Sequence, residues 1–299
     1  MKTVGFRRFK SRFTCLNFTG TILLLVLTPG PIGIFDSGYG GLTVFKAIAQ
    51  KLPQYDYVYF GDNARAPYGI RSFDTIHKYT LECVQHLFDM GCKLVLLACN
   101  TASARALRTI QQHDLVRYSP QHRVLGVIRP TTELIGKITQ TRHVGVFATS
   151  GTVNSGSYTL EIKKFFPDIR VFQEACPMWV PLIENNEFDG PGADYFVQKN
   201  VDTLLRQSGN IDTIILGCTH YPIMWDKIRK AVPANIQLLS QGDIVADSLA
   251  DYLKRHPEVE QLCHHGAKQS FYTSESAEDF DAKAGIFFGK PVASKHFEL

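Results

Sequence analysis

The sequence predicts an α/β protein of two similar parallel-sheet domains, related by a pseudo-twofold duplication, with its site in the cleft between them. Three observations carry that expectation. From residue 32, short apolar runs alternate with longer amphipathic stretches, the pattern of βαβ units with helices on both faces of a sheet. The segment Ile32-Gly-Ile-Phe-Asp-Ser-Gly38 is echoed by Val144-Gly-Val-Phe-Ala-Thr-Ser-Gly151, 112 positions further on. Two apolar runs, Lys93–Ala98 and Thr213–Gly217, each end in a cysteine, Cys99 or Cys218, followed by small hydroxyl or amide residues.

Taken in order, strands are expected over Ile32–Phe35, Asp56–Phe60, Leu94–Ala98, Val124–Ile128, Val144–Phe147, Val171–Gln173, Thr213–Gly217 and Gln237–Leu239. Helices are expected over Leu42–Gln50, Ser72–Met90, Ala102–Gln112, Thr131–Ile138, Ser155–Phe166, Gly192–Gln207, Trp225–Ala231 and Asp243–Lys254. These divide into a first domain of residues 31–123 and 238–299, the last stretch returning to complete it, and a second domain of 124–237. Residues 1–30 are set apart as an N-terminal extension, disordered or a mis-assigned start. They carry Lys2, Arg7, Arg8, Lys10 and Arg12 ahead of an apolar stretch, Thr21–Leu27, the outline of a secretory signal. That stretch is about half the length needed to span a bilayer and lacks an A-x-A cleavage site, so no membrane association is expected.

Composition narrows the class. A chain of 299 residues, 44% hydrophobic and 20% charged, is long enough for two domains. The net charge of +4 is mild and no basic run with interleaved aromatics follows Arg12, so nucleic acid is not an expected partner. Seven cysteines, with no CxxC and no Cys/His metal spacing, point to reduced thiols in a cytoplasmic protein rather than to a disulfide framework or a metal site.

The candidate site residues lie where the strands end, since open parallel sheets bind ligands at the carboxyl ends of their strands. Asp36-Ser37-Gly38-Tyr39-Gly40-Gly41 closes the first strand, and its glycines allow close backbone approach before a helix amino terminus that can meet an anion. The near-match Gly38-x-Gly40-x-x-Thr43 to a dinucleotide fingerprint lacks the third glycine, and Asp36 would set a carboxylate beside the pyrophosphate. The turn is read as a loop for a small carboxylate with Asp36 as a polar helper, against a purely structural turn. Gly61–Gly69 is a Pro/Gly/Asn loop in which Tyr68 and nearby amides are placed to line a pocket, while Asp62 and Arg65 are equally readable as solvated charges.

Free cysteine usually behaves as a small buried hydrophobe, which suits Cys15, Cys83, Cys92 and Cys263; Cys176 is also read as packing. Cys99 and Cys218 differ because each leaves a strand for a loop, where a helix amino terminus and polar donors can lower a thiol pKa from about 8.5. His220 follows Cys218 too closely for contact to be assumed, but can serve as acid or base nearby. Glu184 is a second helper. Thr101, Ser103, Thr149, Ser150, Thr152 and Thr219 are each ordinary cap or turn residues; together they can supply donors for two carboxylates and an amine.

With these residues in place, the sequence resembles the glutamate racemase family, within the cofactor-independent aspartate/glutamate racemase group. Eight blocks carry the resemblance in family order: Ile34–Gly41, Tyr59–Asn63, Ala66–Gly69, Ala98–Ala102, Gly126–Ile128, Ala175–Pro177, Val180–Glu184 and Leu216–Pro222. The resemblance implies that Cys99 and Cys218 are acid/base thiols on opposite faces of a substrate α-carbon, assisted by Asp36, His220 and Glu184. It further implies that Ser37, Tyr68, Gly69, Asn100, Thr101, Thr149, Thr152 and Thr219 bind L- or D-glutamate, with no cofactor and no metal. It also implies D-glutamate supply for peptidoglycan in the bacterial cytoplasm, a homodimer, and a cell-wall precursor as regulator. Residues 1–30 and Arg129, a cation after Gly126-Val-Ile128, depart from the family pattern. The rival expectations are a racemase for aspartate or a hydantoin, a non-catalytic amino-acid-binding module of two facing domains, and, more distantly, a dinucleotide oxidoreductase.

Overall fold

A computed structural model describes residues 28–117 and 121–299, together with the backbone of a short antiparallel ribbon pairing Thr14–Leu16 with Ile22–Leu24. The signal-like outline expected near the amino terminus otherwise lies outside the described residues. Among the described residues, beyond the ribbon, ten strands form two wholly parallel sheets. They are β1 (Ile32–Asp36), β2 (Tyr57–Gly61), β3 (Leu94–Leu97), β4 (Arg123–Gly126), β5 (His143–Ala148), β6 (Arg170–Ala175), β7 (Thr213–Gly217), β8 (Gln237–Leu239), β9 (Gln269–Thr273) and β10 (Ser294–His296).

The six-stranded sheet runs β10-β9-β2-β1-β3-β4 and the four-stranded sheet β8-β7-β5-β6. Read from β2 and from β6, the two share one order, 2-1-3-4 against 6-5-7-8. This is the duplication foreshadowed by the Gly33/Gly145 repeat, with β9 and β10 added at one edge of the first sheet. Strands β1, β2, β3 and β7 are buried along their whole length, which is why they read as unbroken apolar runs.

Helices cover both faces. Phe73–Asp89 is capped by Ser72, whose hydroxyl accepts from Thr75 N at 3.2 Å, and it buries Ile76, Thr80, Cys83, Val84 and Leu87 as one stripe at helical spacing. Gly41–Lys51 packs against Gly242–Arg255, the helix through which the chain returns from the second lobe to the first. One apolar cluster runs without a break from the first sheet through these two helices into the second lobe.

Several boundaries differ from expectation, each for a local reason. The helix expected over Ala102–Gln112 starts at Asn100, because Cys99 takes the N-cap position, and gives way after Arg105 to shorter turns. The helix expected over Ser155–Phe166 is two, Ser150–Ser155 and Ser157–Phe165, split where Gly156 adopts φ +65°, a conformation glycine enters without a Cβ penalty. Ile128 opens a helix, Ile128–Ile138, rather than closing a strand; Pro130 is tolerated in its first turn, where no intrahelical N–H bond is lost. Beyond the expected elements the structure adds helices Trp179–Glu184 and Ala277–Phe288 and strands β9 and β10. Strand β4 belongs to the first sheet and β8 to the second, so each expected domain boundary, at 123/124 and 237/238, falls within a strand. Among the described residues no helix is long and apolar enough to cross a membrane.

Candidate functional site

The carboxyl ends of β1, β3, β5 and β7 converge on one cavity of about 140 Å³, close to the volume of an engineered cavity that admits benzene. Such a space suits a small molecule and is far too small for a dinucleotide. Of the thirteen residues singled out above for catalysis or binding, twelve line it: Asp36, Ser37, Tyr68, Gly69, Cys99, Asn100, Thr101, Thr149, Glu184, Cys218, Thr219 and His220. The thirteenth, Thr152, lies fully buried behind the wall. Its hydroxyl is 3.4 Å from that of Thr101 and 3.2 Å from that of Thr149.

The matching strands β3 and β7 each deliver one thiol. Cys99 leaves β3 and caps the helix Asn100–Arg105, its sulfur accepting from Ala102 N at 3.4 Å and lying 3.4 Å from Ser37 Oγ. Cys218 leaves β7, and its Sγ stands 3.8 Å from Nδ1 of His220. Contact two residues along the chain is possible because the chain does not stay extended there: Tyr221 N bonds back to the Cys218 carbonyl, and a 3₁₀ turn follows over Tyr221–Met224. The expected depression of the thiol pKa is not what the site produces at Cys99. Burial, reinforced by nearby Asp36, pushes that thiol up to about 12, and the donors Ser37 and Ala102 only partly offset it.

His220 is clamped at its far nitrogen, with Nε2 2.8 Å from Glu184 Oε1. Burial opposes charge on this imidazole, yet the hydrogen bonds to Cys218 and Glu184 prevail and hold its pKa well above the usual value. Asp36 is also buried, and burial raises its pKa against the pull of His220 and of the Gly41 and Gly38 amides. Its Oδ2 accepts from Gly38 N at 2.9 Å, while Oδ1 has no protein partner. Glycine is required at 40 for space: a Cβ there would stand 2.3 Å from His220 Nδ1 and 2.5 Å from Thr219 Oγ1. The Ser37–Gly41 turn is supported by helix Ala277–Phe288, where Tyr39 stacks on Phe280 and Phe287, and Phe287 meets His220 edge-on.

Hydroxyls gather on the opposite wall. Thr101 and Thr149, one from each lobe, lie 2.9 Å apart, and Thr149 caps the helix Ser150–Ser155 by accepting from Thr152 N. Tyr68 reaches the cavity from the Gly61–Gly69 loop. Its hydroxyl donates to Asp62 Oδ2 at 2.5 Å, and that same oxygen accepts from Arg65 Nε at 2.7 Å. Asp62 is fully buried and Arg65 mostly so, so these charges brace the loop rather than face solvent. Ser103, by contrast, spends its hydroxyl on the Leu97 carbonyl and takes no part in the wall.

The rest of the wall is Ser150, one of the expected turn hydroxyls, together with Ala66, Pro67, Ile70, Cys176, Pro177, Val180 and Pro181, to which the sequence assigns no chemistry. Cys176, read as packing, is fully buried yet borders the cavity. Apolar residues carry no chemical signal in a sequence; only the Pro-rich, strand-ending context of the two segments hinted at them. Among the described residues, no group of three or more His, Cys, Asp or Glu side chains is arranged to hold a metal ion, and the six cysteines are free. Arg129 lies away from the cavity, paired with Glu133 on its own helix and stacked over Phe165.

Residues 32–249 match the family model described as Asp/Glu/Hydantoin racemase. The chain is 40% identical over 271 residues to a glutamate racemase of Ruegeria sp., covering 87% of this chain and 97% of that one. Its fold is similar to the crystal structure of glutamate racemase isoform RacE1 from Bacillus anthracis, with TM-score 0.82 and 30% identity over 90% of this chain and 98% of that one. A glutamate racemase from Francisella tularensis, solved in complex with D-glutamate, superposes with TM-score 0.79 and 31% identity over 90% and 98% of the two chains.

Proposed function

The chain belongs to the Asp/Glu/hydantoin racemase family, and from that premise we propose that it is a glutamate racemase, an isomerase that moves the α-proton between Cys99 and Cys218. The observation that carries this reading is the delivery of two thiols from the matching strands β3 and β7, one in each lobe, onto a single small cavity. Binding alone needs no thiol, so a non-catalytic module leaves the pair unexplained. Glutamate is preferred over aspartate because relatives near 40% identity carry that name and one structural neighbour holds D-glutamate.

In the proposed reaction one sulfur, as thiolate, takes the α-hydrogen as a proton and leaves the electron pair on the α-carbon. The other sulfur, as thiol, gives its proton to the opposite face; the reverse reaction exchanges the roles. His220 stands 3.8 Å from the Cys218 sulfur with its far nitrogen held by Glu184, and Cys218 is assigned as the starting base. Cys99, its thiol pushed up to about 12 by burial, starts as the acid. Ser37 Oγ and the Ala102 amide then receive the charge that Cys99 acquires, and Asp36 assists on that side. The substrate carboxylates and amine fall to Ser37, Tyr68, Gly69, Asn100, Thr101, Thr149 and Thr219, with Thr152 behind the wall bracing the Thr101 and Thr149 hydroxyls. The weak acidity of an amino-acid α-C–H has to be met by preorganised donors in a water-poor site. Pyridoxal phosphate acts through a lysine Schiff base, and no lysine lines this cavity.

Supply of D-glutamate for peptidoglycan, a cytoplasmic location, a homodimer and control by a cell-wall precursor complete the reading. The deciding experiment is incubation with L-glutamate in D₂O without added cofactor, following optical rotation and α-deuterium. Racemisation with deuterium uptake, abolished in Cys99→Ser and in Cys218→Ser, is expected. Wild-type protein that incorporates no deuterium, or exchange that survives in both variants, sinks the two-thiol mechanism. Turnover of L-aspartate alone makes the protein the sibling enzyme.

A further inference from the structure

Beneath the cavity the two lobes are joined by a closed ring of three buried side chains. Tyr158 Oη donates to Asn100 Oδ1 at 2.8 Å, Asn100 Nδ2 donates to Gln241 Oε1 at 2.6 Å, and Gln241 Nε2 donates to Tyr158 Oη at 3.0 Å. Each member gives one bond and takes one, an arrangement in which every bond polarises the next. Tyr158 is fully buried, Asn100 is 2% exposed and Gln241 3%, so removing one member leaves its neighbours unpaired in the interior.

The three come from different parts of the fold. Asn100 follows Cys99 at the end of β3, and Tyr158 sits on helix Ser157–Phe165 of the second lobe. Gln241 stands where the chain passes from β8 back toward the first lobe. Gln241 Nε2 also reaches the Val127 carbonyl at 3.0 Å, at the point where the chain first crosses to the second lobe, so the ring ties both crossings together. The Tyr158 ring lies directly against the residue before the other thiol, since a Cβ on Gly217 would stand 3.0 Å from Tyr158 Cε2. One tyrosine therefore meets both thiol-bearing turns, through Asn100 on one side and Gly217 on the other, although neither Tyr158 nor Gln241 lines the cavity.

We propose that Tyr158, braced by Gln241, is the positioning residue that sets the separation of Cys99 and Cys218 across the cleft. The inference rests on the two-thiol reading: taking a proton from one face and delivering one to the other requires both sulfurs at a single α-carbon together. The test is Tyr158→Phe, which keeps the ring against Gly217 and removes the hydroxyl, with Gln241→Met as an independent break of the same ring. In each variant kcat falls about tenfold to a hundredfold in both directions, the scale on which small misplacements act. KM changes less than kcat, because Ser37, Tyr68, Gly69 and Thr149, which also bind the substrate, stand outside the ring. The double variant is no worse than the more damaged single one, since both act through Asn100. Independently of turnover, amide hydrogen exchange quickens together in peptides spanning 98–105 and 215–222.

A folded variant with wild-type kcat overturns the proposal, as does a rise in KM at unchanged kcat, multiplicative losses in the double variant, or faster exchange in only one segment or neither. Unaltered protein that does not turn over glutamate removes the functional reading, and the exchange experiment still decides the positioning role.

Discussion

At the scale of single residues, the chemistry of the site is set by what burial does to groups that prefer water, and by which partners oppose it. His220 is the clearest case, because its hydrogen bonds to Cys218 and Glu184 outweigh burial and raise the pKa of the imidazole. Its folded pKa lies above the ordinary 6.5. Its stabilising contribution is therefore complete below 6.5 and fades as pH rises through the raised value. Glu184→Gln removes the carboxylate and lowers that folded value. The fade then begins at lower pH, and the alkaline limb of kcat/KM moves down with it. A pH–rate profile and thermal melts across the same range check both shifts; an unmoved limb contradicts the assigned role of Glu184. Gly40 supplies a steric counterpart. Gly40→Ala presses a methyl group against His220 and Thr219, an overpacking that costs about 1–3 kcal/mol. Activity drops with it, measurable as a lower Tm and a lower kcat in one preparation.

At the scale of elements, strand ends and helix starts are where the lobes offer side chains to each other. Cys99 and Thr149 are both helix N-caps, one in each lobe, and their helices meet through Thr101, Thr149 and Thr152. On the far side of the second lobe, Asp212 fastens the end of helix Ile128–Ile138 to the start of β7. Its carboxylate accepts from Thr139 Oγ1 at 2.7 Å, from the Gln140 and Thr141 amides at 2.6 and 2.7 Å, and from Thr213 Oγ1 at 2.8 Å. Burial alone would raise its pKa, but these donors bring it down to about 2 from 3.8. The stabilisation is therefore full above pH 3.8 and is lost as pH falls through about 2. Asp212→Asn is expected to cost about 1–2 kcal/mol at neutral pH, kept modest because the group is partly solvated, and to flatten the acid limb of stability. Denaturant melts at pH 7 and pH 3 measure both effects.

For the whole molecule, the two lobes meet around a space of amino-acid size, so a ligand seated there binds the folded state and not the unfolded chain. At one hundred times its Kd, glutamate should stabilise the fold by about 2.7 kcal/mol. That is a rise of several degrees in Tm for a chain of this size. Aspartate, a methylene shorter, should raise Tm less at equal concentration, because it cannot span the same donors on both walls. Equal shifts for the two, or none for glutamate, contradict the proposed substrate.

The alternation of apolar runs and amphipathic stretches determined the α/β class, and the repeat at Gly33 and Gly145 determined the duplication, because strand burial and tight turns impose local requirements that each segment must satisfy by itself. The reactive positions were legible for the same reason: thiols, carboxylates and hydroxyls at strand ends are chemically distinctive wherever they stand. Only the tertiary structure decided the state of those groups. Whether Cys99 is raised or lowered depends on Asp36, Ser37 and the depth of burial, none of which is local to its strand. Tyr158 and Gln241 look like ordinary helix and loop residues until the lobes close and bring them to Asn100. Likewise β9, β10 and helix Ala277–Phe288 join the first sheet from the far end of the chain, and Phe287 meets His220 only there. A side chain's pKa and its long-range partners are properties of what the folded chain surrounds it with, and that surrounding is assembled from segments with no local mark of where they will meet.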